Sequence, residues 1–181
     1  MRKIKVKQIK NMIKELFLRA SFYINPDIMK SLQQALKKES SPIGKSVLQM
    51  IIKNHKIASS EEIAICQDTG LAVVFVELGQ QVCIIGGDFT EALNQGVKEA
   101  YQEGYLRKSV VNDPLFERKN TKTNTPATIY TDIVSGCKIK FSVIPKGFGG
   151  ENMSALAMLK PADGEKGVIN FIVETVKKAG P

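Results

Sequence analysis

The residues with the most chemistry in this chain stand side by side at positions 66–70, which read Cys-Gln-Asp-Thr-Gly. A thiol, an amide, a carboxylate and a hydroxyl are followed by a glycine, which adopts positive φ readily. The apolar run at 71–76 comes next and predicts a buried strand. Reactive side chains beside a buried strand indicate a site on a rigid support. A polar turn with Cys66 as a small core thiol explains the same pattern, so both interpretations stay open.

A second unusual stretch covers residues 145–152 and reads Pro-Lys-Gly-Phe-Gly-Gly-Glu-Asn. Its three glycines and Lys146 come directly after a predicted strand, where a free backbone approaches an anion closely and supplies amide donors. The order GxxxxGK[ST] is absent, so this is not a Walker loop. An anion-binding loop and an ordinary turn are both compatible with the stretch.

The net charge of +8 is concentrated at the N-terminus, where residues 1–19 hold seven basic side chains and one acidic side chain. Surfaces that bind nucleic acid spread Lys and Arg over a docking face, with aromatic side chains between them. One basic helix face therefore argues against nucleic acid as a partner. No apolar run approaches the roughly 20 residues of a membrane span, and we expect a cytoplasmic protein without a membrane partner.

Cysteine and histidine usage excludes several kinds of site. The chain has three cysteines and no C-x-x-C pair, which fits a reducing compartment rather than a disulfide framework. Cys83 and Cys137 stand among apolar residues of predicted strands, so we predict two buried, inert thiols. The one histidine, His55, lies near the end of a predicted helix, where it interacts with the helix dipole.

Hydrophobic periodicity predicts an α/β fold, with an N-terminal helical lobe (1–60) followed by a mixed β-sheet with flanking helices (61–181). The predicted helices are 3–22, 26–38, 42–56, 89–106, 153–159 and 165–178. The predicted strands are 71–78, 81–86, 127–134 and 137–144, the last two paired around Ser135-Gly136. The predicted buried stripe of the helix at 42–56 consists of Val47, Leu48, Ile51 and Ile52. That of the helix at 165–178 consists of Val168, Phe171, Ile172 and Val176.

Five motifs occur in a fixed order along the chain: Cys-Gln-Asp-Thr-Gly at 66–70, Gly-Tyr-Leu-Arg-Lys-Ser at 104–109, Asn-Thr-Pro-Ala at 124–127, Pro-Lys-Gly-Phe-Gly-Gly-Glu-Asn-Met-Ser at 145–154, and Leu-Lys-Pro-Ala-Asp-Gly at 159–164. Together they resemble the alpha subunit, or N-terminal part, of class I iron–sulfur fumarate hydratases and the related L-tartrate dehydratases. The resemblance runs from about residue 10 to the last residue.

The resemblance implies a hydro-lyase that adds water to fumarate, giving L-malate, or removes water from L-tartrate or another 2-hydroxy dicarboxylate. In that family three cysteine thiolates hold a [4Fe–4S] cluster, whose open iron acts as a Lewis acid on the small dicarboxylate substrate. Cys66 matches the first of these three ligands. A beta subunit, or a C-terminal portion of the same enzyme, is the implied partner within a hetero- or homo-oligomer.

The resemblance also implies roles for residues around the substrate. Gln67 and Asp68 match positions that line the pocket, and Asp68 is the candidate catalytic residue, orienting the hydroxyl or transferring a proton. Arg107 matches an arginine that binds a substrate carboxylate, a role suited to its planar fork. Lys146 and Gly149 fall in the loop whose backbone approaches the substrate.

Two departures from the family pattern limit what this chain does alone. Gly150 stands where the family usually has a serine. The two remaining cluster cysteines are expected beyond residue 181, so we expect a chain truncated before them that is inactive as an isolated fragment. A non-catalytic binding or assembly module of the same fold is the alternative, followed by nucleic-acid binding through the basic N-terminal helix. Fumarate and tartrate remain alternative substrates.

Overall fold

The chain contains both helices and strands, in agreement with the α/β prediction. The computed structural model describes residues 1–180, except the side chain of Glu151. The strands are β1 (Arg2–Lys5), β2 (Leu71–Gly79), β3 (Val82–Ile85), β4 (Thr128–Val134) and β5 (Ile139–Lys146). The α-helices are α1 (Val6–Phe22), α2 (Pro26–Lys38), α3 (Pro42–Glu61), α4 (Phe89–Glu103), α5 (Phe148–Asn152) and α6 (Gly164–Ala179), and Pro161–Asp163 forms a 3-10 turn. None of the helices within residues 1–180 is long and apolar enough to cross a membrane.

The chain divides into two units, residues 1–147 and the residues from 148 onward. The first unit contains all five strands, and the second contains α5, the 3-10 turn and α6. The predicted division after residue 60, between a helical lobe and the rest of the chain, differs from this one and stays a prediction. Within the first unit, α1 lies against α4 and β5, while α2 packs on α3.

A mixed sheet lies at the centre of the first unit, with its strands in the order β4-β2-β5. β4 runs parallel to β2, and β5 runs antiparallel to it. The mixed-sheet prediction is thus confirmed. β1, which the sequence did not predict, pairs in parallel with β3 in a separate two-stranded sheet.

The predicted pairing of β4 with β5 is wrong, because the link between them crosses the end of β2. The Gly79 amide donates to the Lys138 carbonyl at 2.9 Å, and the Gln80 amide donates to the Val134 carbonyl at 2.8 Å. A Cβ at Gly79 would lie 2.5 Å from the Gly136 carbonyl oxygen, so glycine permits this close crossing. A short polar link looks the same in sequence whether it turns a hairpin or passes over a third strand.

The core of the first unit lies between one face of the central sheet and the helices α1 and α4. Its buried residues include Ile9, Ile13, Phe17, Ala72, Val74, Val76, Leu93, Val97, Ala100 and Tyr101. Two N-terminal lysines also join these helices, since Lys10 pairs with Glu99 at 2.7 Å and Lys14 pairs with Glu103 at 2.9 Å. Part of the basic face of α1 therefore serves packing inside the fold.

Several predicted burials are wrong for related reasons. Cys137 is exposed because it lies in the crossing link, two residues before β5 begins, and Cys83 is half-buried. In α3 only Ile52 of the predicted stripe is buried, and in α6 no described residue is buried. Periodicity identifies the apolar face of a helix, whereas burial needs an element that covers it. The predicted helix at 153–159 is absent, and α5 lies just before it.

A close contact between α1 and α4 at Gly96 yields a test of this packing. A Cβ at Gly96 would lie 2.6 Å from the Lys10 carbonyl oxygen and 2.9 Å from Ile13 Cβ. We expect Gly96→Ala to push the helices apart and lower the free energy of unfolding by about 1–3 kcal/mol, the usual cost of overpacking. In an open helix the same change would stabilise.

Urea denaturation followed by circular dichroism measures this difference. Lys98→Ala, at an exposed position of the same helix, is the matched control and should change the stability by less than about 0.5 kcal/mol. Equal or greater stability of Gly96→Ala would contradict the close contact between α1 and α4.

Candidate functional site

The stretch at 66–70 forms the end of the loop between α3 and β2. Ile65, the residue before it, is held by hydrogen bonds at both its amide and its carbonyl. The Ile65 amide donates to the Ser21 carbonyl at 2.9 Å, and Asn54 Nδ2 donates to the Ile65 carbonyl at 2.8 Å. These bonds tie the start of the stretch to the last turn of α1 and to the middle of α3.

Cys66 and Gln67 are exposed, whereas Asp68 is half-buried. The Cys66 thiol donates to Gln67 Oε1 at 3.3 Å, and the Asp68 amide donates to Cys66 Sγ at 3.5 Å. The core-thiol interpretation of Cys66 is therefore wrong. A surface thiol in a loop with a fixed start is accessible to a ligand, whereas a buried structural thiol is not.

The other end of the stretch is buried and anchored by Tyr101 of α4. Tyr101, which is fully buried, donates its hydroxyl to the carbonyls of Thr69 at 2.8 Å and Gly70 at 3.1 Å. Burial, and secondarily the charge of Asp68, raises the pKa of Tyr101. The hydroxyl therefore keeps its proton, and donates these hydrogen bonds, further into alkaline solution than an ordinary tyrosine does.

Gly70 meets β5 at close range. It has a φ of +61°, and a Cβ at this position would overlap the Lys146 carbonyl. Both the backbone angle and the close contact require glycine. The backbone of Lys146 thus lies against the 66–70 stretch, and the prediction that both line one pocket stays a prediction. Within the same unit, a Cβ at Gly147 would lie 3.0 Å from Asp68 Oδ2, so the Asp68 carboxylate lies against this backbone.

Asn124 connects a third motif to the stretch. Its fully buried side chain donates Nδ2–H to the Gly70 carbonyl at 3.0 Å. Its Oδ1 accepts the amides of Ser109 at 2.8 Å and Val110 at 3.2 Å. Sequence reasoning placed Asn124 in a polar loop and missed this role, although the residue opens the Asn-Thr-Pro-Ala motif. Its φ of +59° is a conformation that Asn tolerates better than most side chains.

Arg107 lies next to the stretch through its backbone. Thr69 Oγ1 donates to the Arg107 carbonyl at 3.0 Å, and the Arg107 side chain is exposed. The predicted carboxylate-binding residue is therefore beside the loop that carries Cys66. Gly149 and Gly150 lie in α5, within the second unit.

A cavity of about 180 Å³ borders this loop, and its lining includes Ser21, Cys66, Asp68 and Thr69. Among the side chains that the structure describes, no three or more of His, Cys, Asp or Glu lie close enough together to hold a metal ion. Cys66 fits a single ligand position. The described residues do not by themselves fit a cluster that needs three thiolates.

Comparison with known proteins identifies the family. The model of the fumarate hydratase (fumerase) family matches residues 10–181. This chain belongs to the fumarate hydratase family. The resemblance drawn from the five motifs is thereby confirmed, and the family match covers every residue placed at the candidate site.

Three relatives of known name match nearly the whole chain but are themselves longer than it. It is 41% identical over 96% of its length to the protein named "Putative L(+)-tartrate dehydratase subunit alpha" of Methanocaldococcus jannaschii, covering 62% of that relative. It is 32% identical over 98% of its length to the anaerobic class I fumarate hydratase of Escherichia coli K12, and 35% identical over 92% to the aerobic one. It spans 33% and 31% of these two enzymes.

The Asn124 network yields a prediction about the site scaffold. Asn124→Ala removes three hydrogen bonds of a buried side chain and leaves the Ser109 and Val110 amides without their acceptor. We expect the free energy of unfolding to fall by about 3 kcal/mol, since each buried polar group without a partner costs about 1–3 kcal/mol.

Urea denaturation measures the loss, and amide exchange at Ser109 and Val110 locates it. Asn112→Ala, an exposed asparagine in the same loop region, should change the stability by less than about 0.5 kcal/mol. Similar values for the two variants would show that Asn124 does not hold these segments together.

Proposed function

We propose that this chain is the alpha portion of a hydro-lyase that hydrates fumarate to L-malate or dehydrates L-tartrate. The observation that carries the proposal is the hydrogen bond from Thr69 to the Arg107 carbonyl. It holds the backbone of Arg107, whose exposed cationic side chain is suited to a carboxylate, beside the loop of Cys66 and Asp68. Membership of the fumarate hydratase family supports the reaction class.

The proposed substrate contacts follow from the side-chain chemistry. Arg107 binds one carboxylate of the dicarboxylate through its planar fork. Gln67, exposed beside Cys66, donates its amide to a substrate oxygen. Asp68 orients the substrate hydroxyl or exchanges a proton with the reacting carbon or oxygen. The backbone of Lys146 completes the wall next to Gly70, and the role of Gly149 stays a prediction.

We propose that Cys66 contributes one of the three thiolates of a [4Fe–4S] cluster. The remaining ligands then come from outside the described residues, which hold one suitably placed thiol. When bound, such a cluster supplies a Lewis-acidic iron that polarises the C–O bond of the substrate. Cys66 is suited to this because its sulfur is exposed and its loop is fixed at both ends.

We further propose a partner that completes the enzyme. The relative from Methanocaldococcus jannaschii is named a subunit alpha, which supports a beta subunit or an equivalent C-terminal portion. This partner would supply the further substrate-binding and acid–base groups, in a hetero- or homo-oligomer.

The role of Arg107 is testable in the enzyme assembled with its beta portion. Arg107→Gln removes the cation but keeps a polar side chain, and we expect KM for the dicarboxylate to rise about 10–100-fold, the value of a lost charge-assisted hydrogen-bond pair. Lys108→Gln removes a neighbouring cation and should leave KM within about twofold. Steady-state kinetics with fumarate and with L-tartrate measures both. An unchanged KM in Arg107→Gln would refute the carboxylate contact.

The ligand role of Cys66 is tested separately. Cys66→Ser in the anaerobically prepared enzyme should lose most of its iron and sulfide and its turnover, because a serine hydroxyl replaces a thiolate ligand. Cys137→Ser, at the other exposed thiol, should retain both. Full iron content and turnover in Cys66→Ser would refute the assignment. An intact cluster in the unmodified enzyme without turnover of any dicarboxylate would favour a non-catalytic module.

A further inference from the structure

Thr69 makes hydrogen bonds in two directions from a buried position. The residue is only 7% exposed. Its carbonyl accepts the Tyr101 hydroxyl at 2.8 Å, and its own hydroxyl donates to the Arg107 carbonyl at 3.0 Å. The first bond ties Thr69 to a residue of the core, so the second bond acts on the Arg107 backbone from a fixed support.

The backbone around Arg107 needs such a support because it lies outside every helix and strand. The chain leaves α4 through Tyr105, whose φ of +52° ends the helical path. The next residue, Leu106, is buried in the core, and its amide donates to the Tyr101 carbonyl at 3.1 Å. Arg107 follows Leu106 directly and is bonded to Thr69, which is bonded to Tyr101. The Thr69 hydroxyl thus closes a ring of hydrogen bonds.

The contacts after Arg107 come from a different part of the chain. Asn120 Nδ2 donates to the Lys108 carbonyl at 2.9 Å, and Asn124 Oδ1 accepts the Ser109 amide at 2.8 Å. Both donors and acceptors belong to the loop before β4. The Thr69 hydroxyl is therefore a direct link between the stretch that carries Cys66 and the backbone of Arg107.

We propose that Thr69 is a positioning residue for Arg107. Its hydroxyl holds the Arg107 backbone against the Cys66 loop, so that the guanidinium is already placed when a dicarboxylate binds beside that loop. A binding group that is held in advance loses less conformational entropy when its ligand arrives. The role rests on the proposed function, since Thr69 acts on the substrate only through the carboxylate contact of Arg107.

Amide exchange in the 181-residue chain tests the link itself. Thr69→Val removes the hydroxyl and keeps a β-branched side chain. We expect the Leu106 and Ser109 amides, on either side of Arg107, to exchange about fivefold faster, the loss associated with one hydrogen bond. The amide of Val76, in the buried part of β2, should exchange as in the parent chain.

Two further variants make the exchange result specific. Thr69→Ser keeps the hydroxyl and should retain the parent rates at Leu106 and Ser109. Thr131→Val makes the same replacement at an exposed threonine of β4 and should change neither rate. Unchanged exchange at both amides in Thr69→Val overturns the positioning role, as does equally fast exchange in Thr69→Ser.

Steady-state kinetics of the enzyme assembled with its beta portion tests whether Thr69 acts through Arg107. We expect Thr69→Val to raise KM for the dicarboxylate about 3–10-fold, the value of one neutral hydrogen bond, with kcat within about twofold. Thr69→Ser should restore KM. In an Arg107→Gln background, Thr69→Val should raise KM by less than about twofold, because the group that it positions is gone. Equal rises in both backgrounds overturn the proposal, since Thr69 would then act on the site in general.

The same kinetics separate this inference from the proposed function. An unchanged KM in Thr69→Val, beside a raised KM in Arg107→Gln, overturns the positioning role and leaves the carboxylate contact standing. An unchanged KM in Arg107→Gln overturns the carboxylate contact itself, and the positioning role for the substrate falls with it.

Discussion

The candidate site depends on the buried carbonyl of Gly70, which accepts hydrogen bonds from Tyr101 and Asn124 together. Both donors are fully buried, and in such surroundings a hydrogen bond is electrostatically stronger than in water. Tyr101 ties this carbonyl to α4, while Asn124 ties it to the segment after Arg107. One backbone oxygen thus sets the relative position of three chain segments that are far apart in sequence.

The core supplies the rigidity that this junction needs. Tyr101 packs with its ring centroid 6.3 Å from that of Phe17, so the same residue belongs to the α1–α4 contact and to the site loop. A side chain held by close packing loses little further freedom when it makes a hydrogen bond. The packing of α1 against α4 therefore also fixes the orientation of the loop that carries Cys66.

The sequence was sufficient to predict the α/β class, the long helices and a loop at 66–70 followed by a buried strand, because each depends on local periodicity or caps. It was insufficient wherever a distant segment decides the outcome. Ser135-Gly136 reads as a hairpin turn but crosses over β2, and Cys137 is exposed as a result. The importance of Asn124 was also hidden, since nothing local distinguishes a buried asparagine that bridges two loops from a solvated one.

The burial pattern along 66–70 separates positioning from chemistry. Thr69 and Gly70 are buried and make the bonds that fix the loop, whereas Cys66 and Gln67 are exposed and free of the core. Side chains that must meet a substrate or a metal need access, but their backbone must hold its place while they do so. Because the anchors are backbone carbonyls, they do not depend on the identity of the exposed residues. The backbone of this loop is therefore held in place independently of which side chains it exposes.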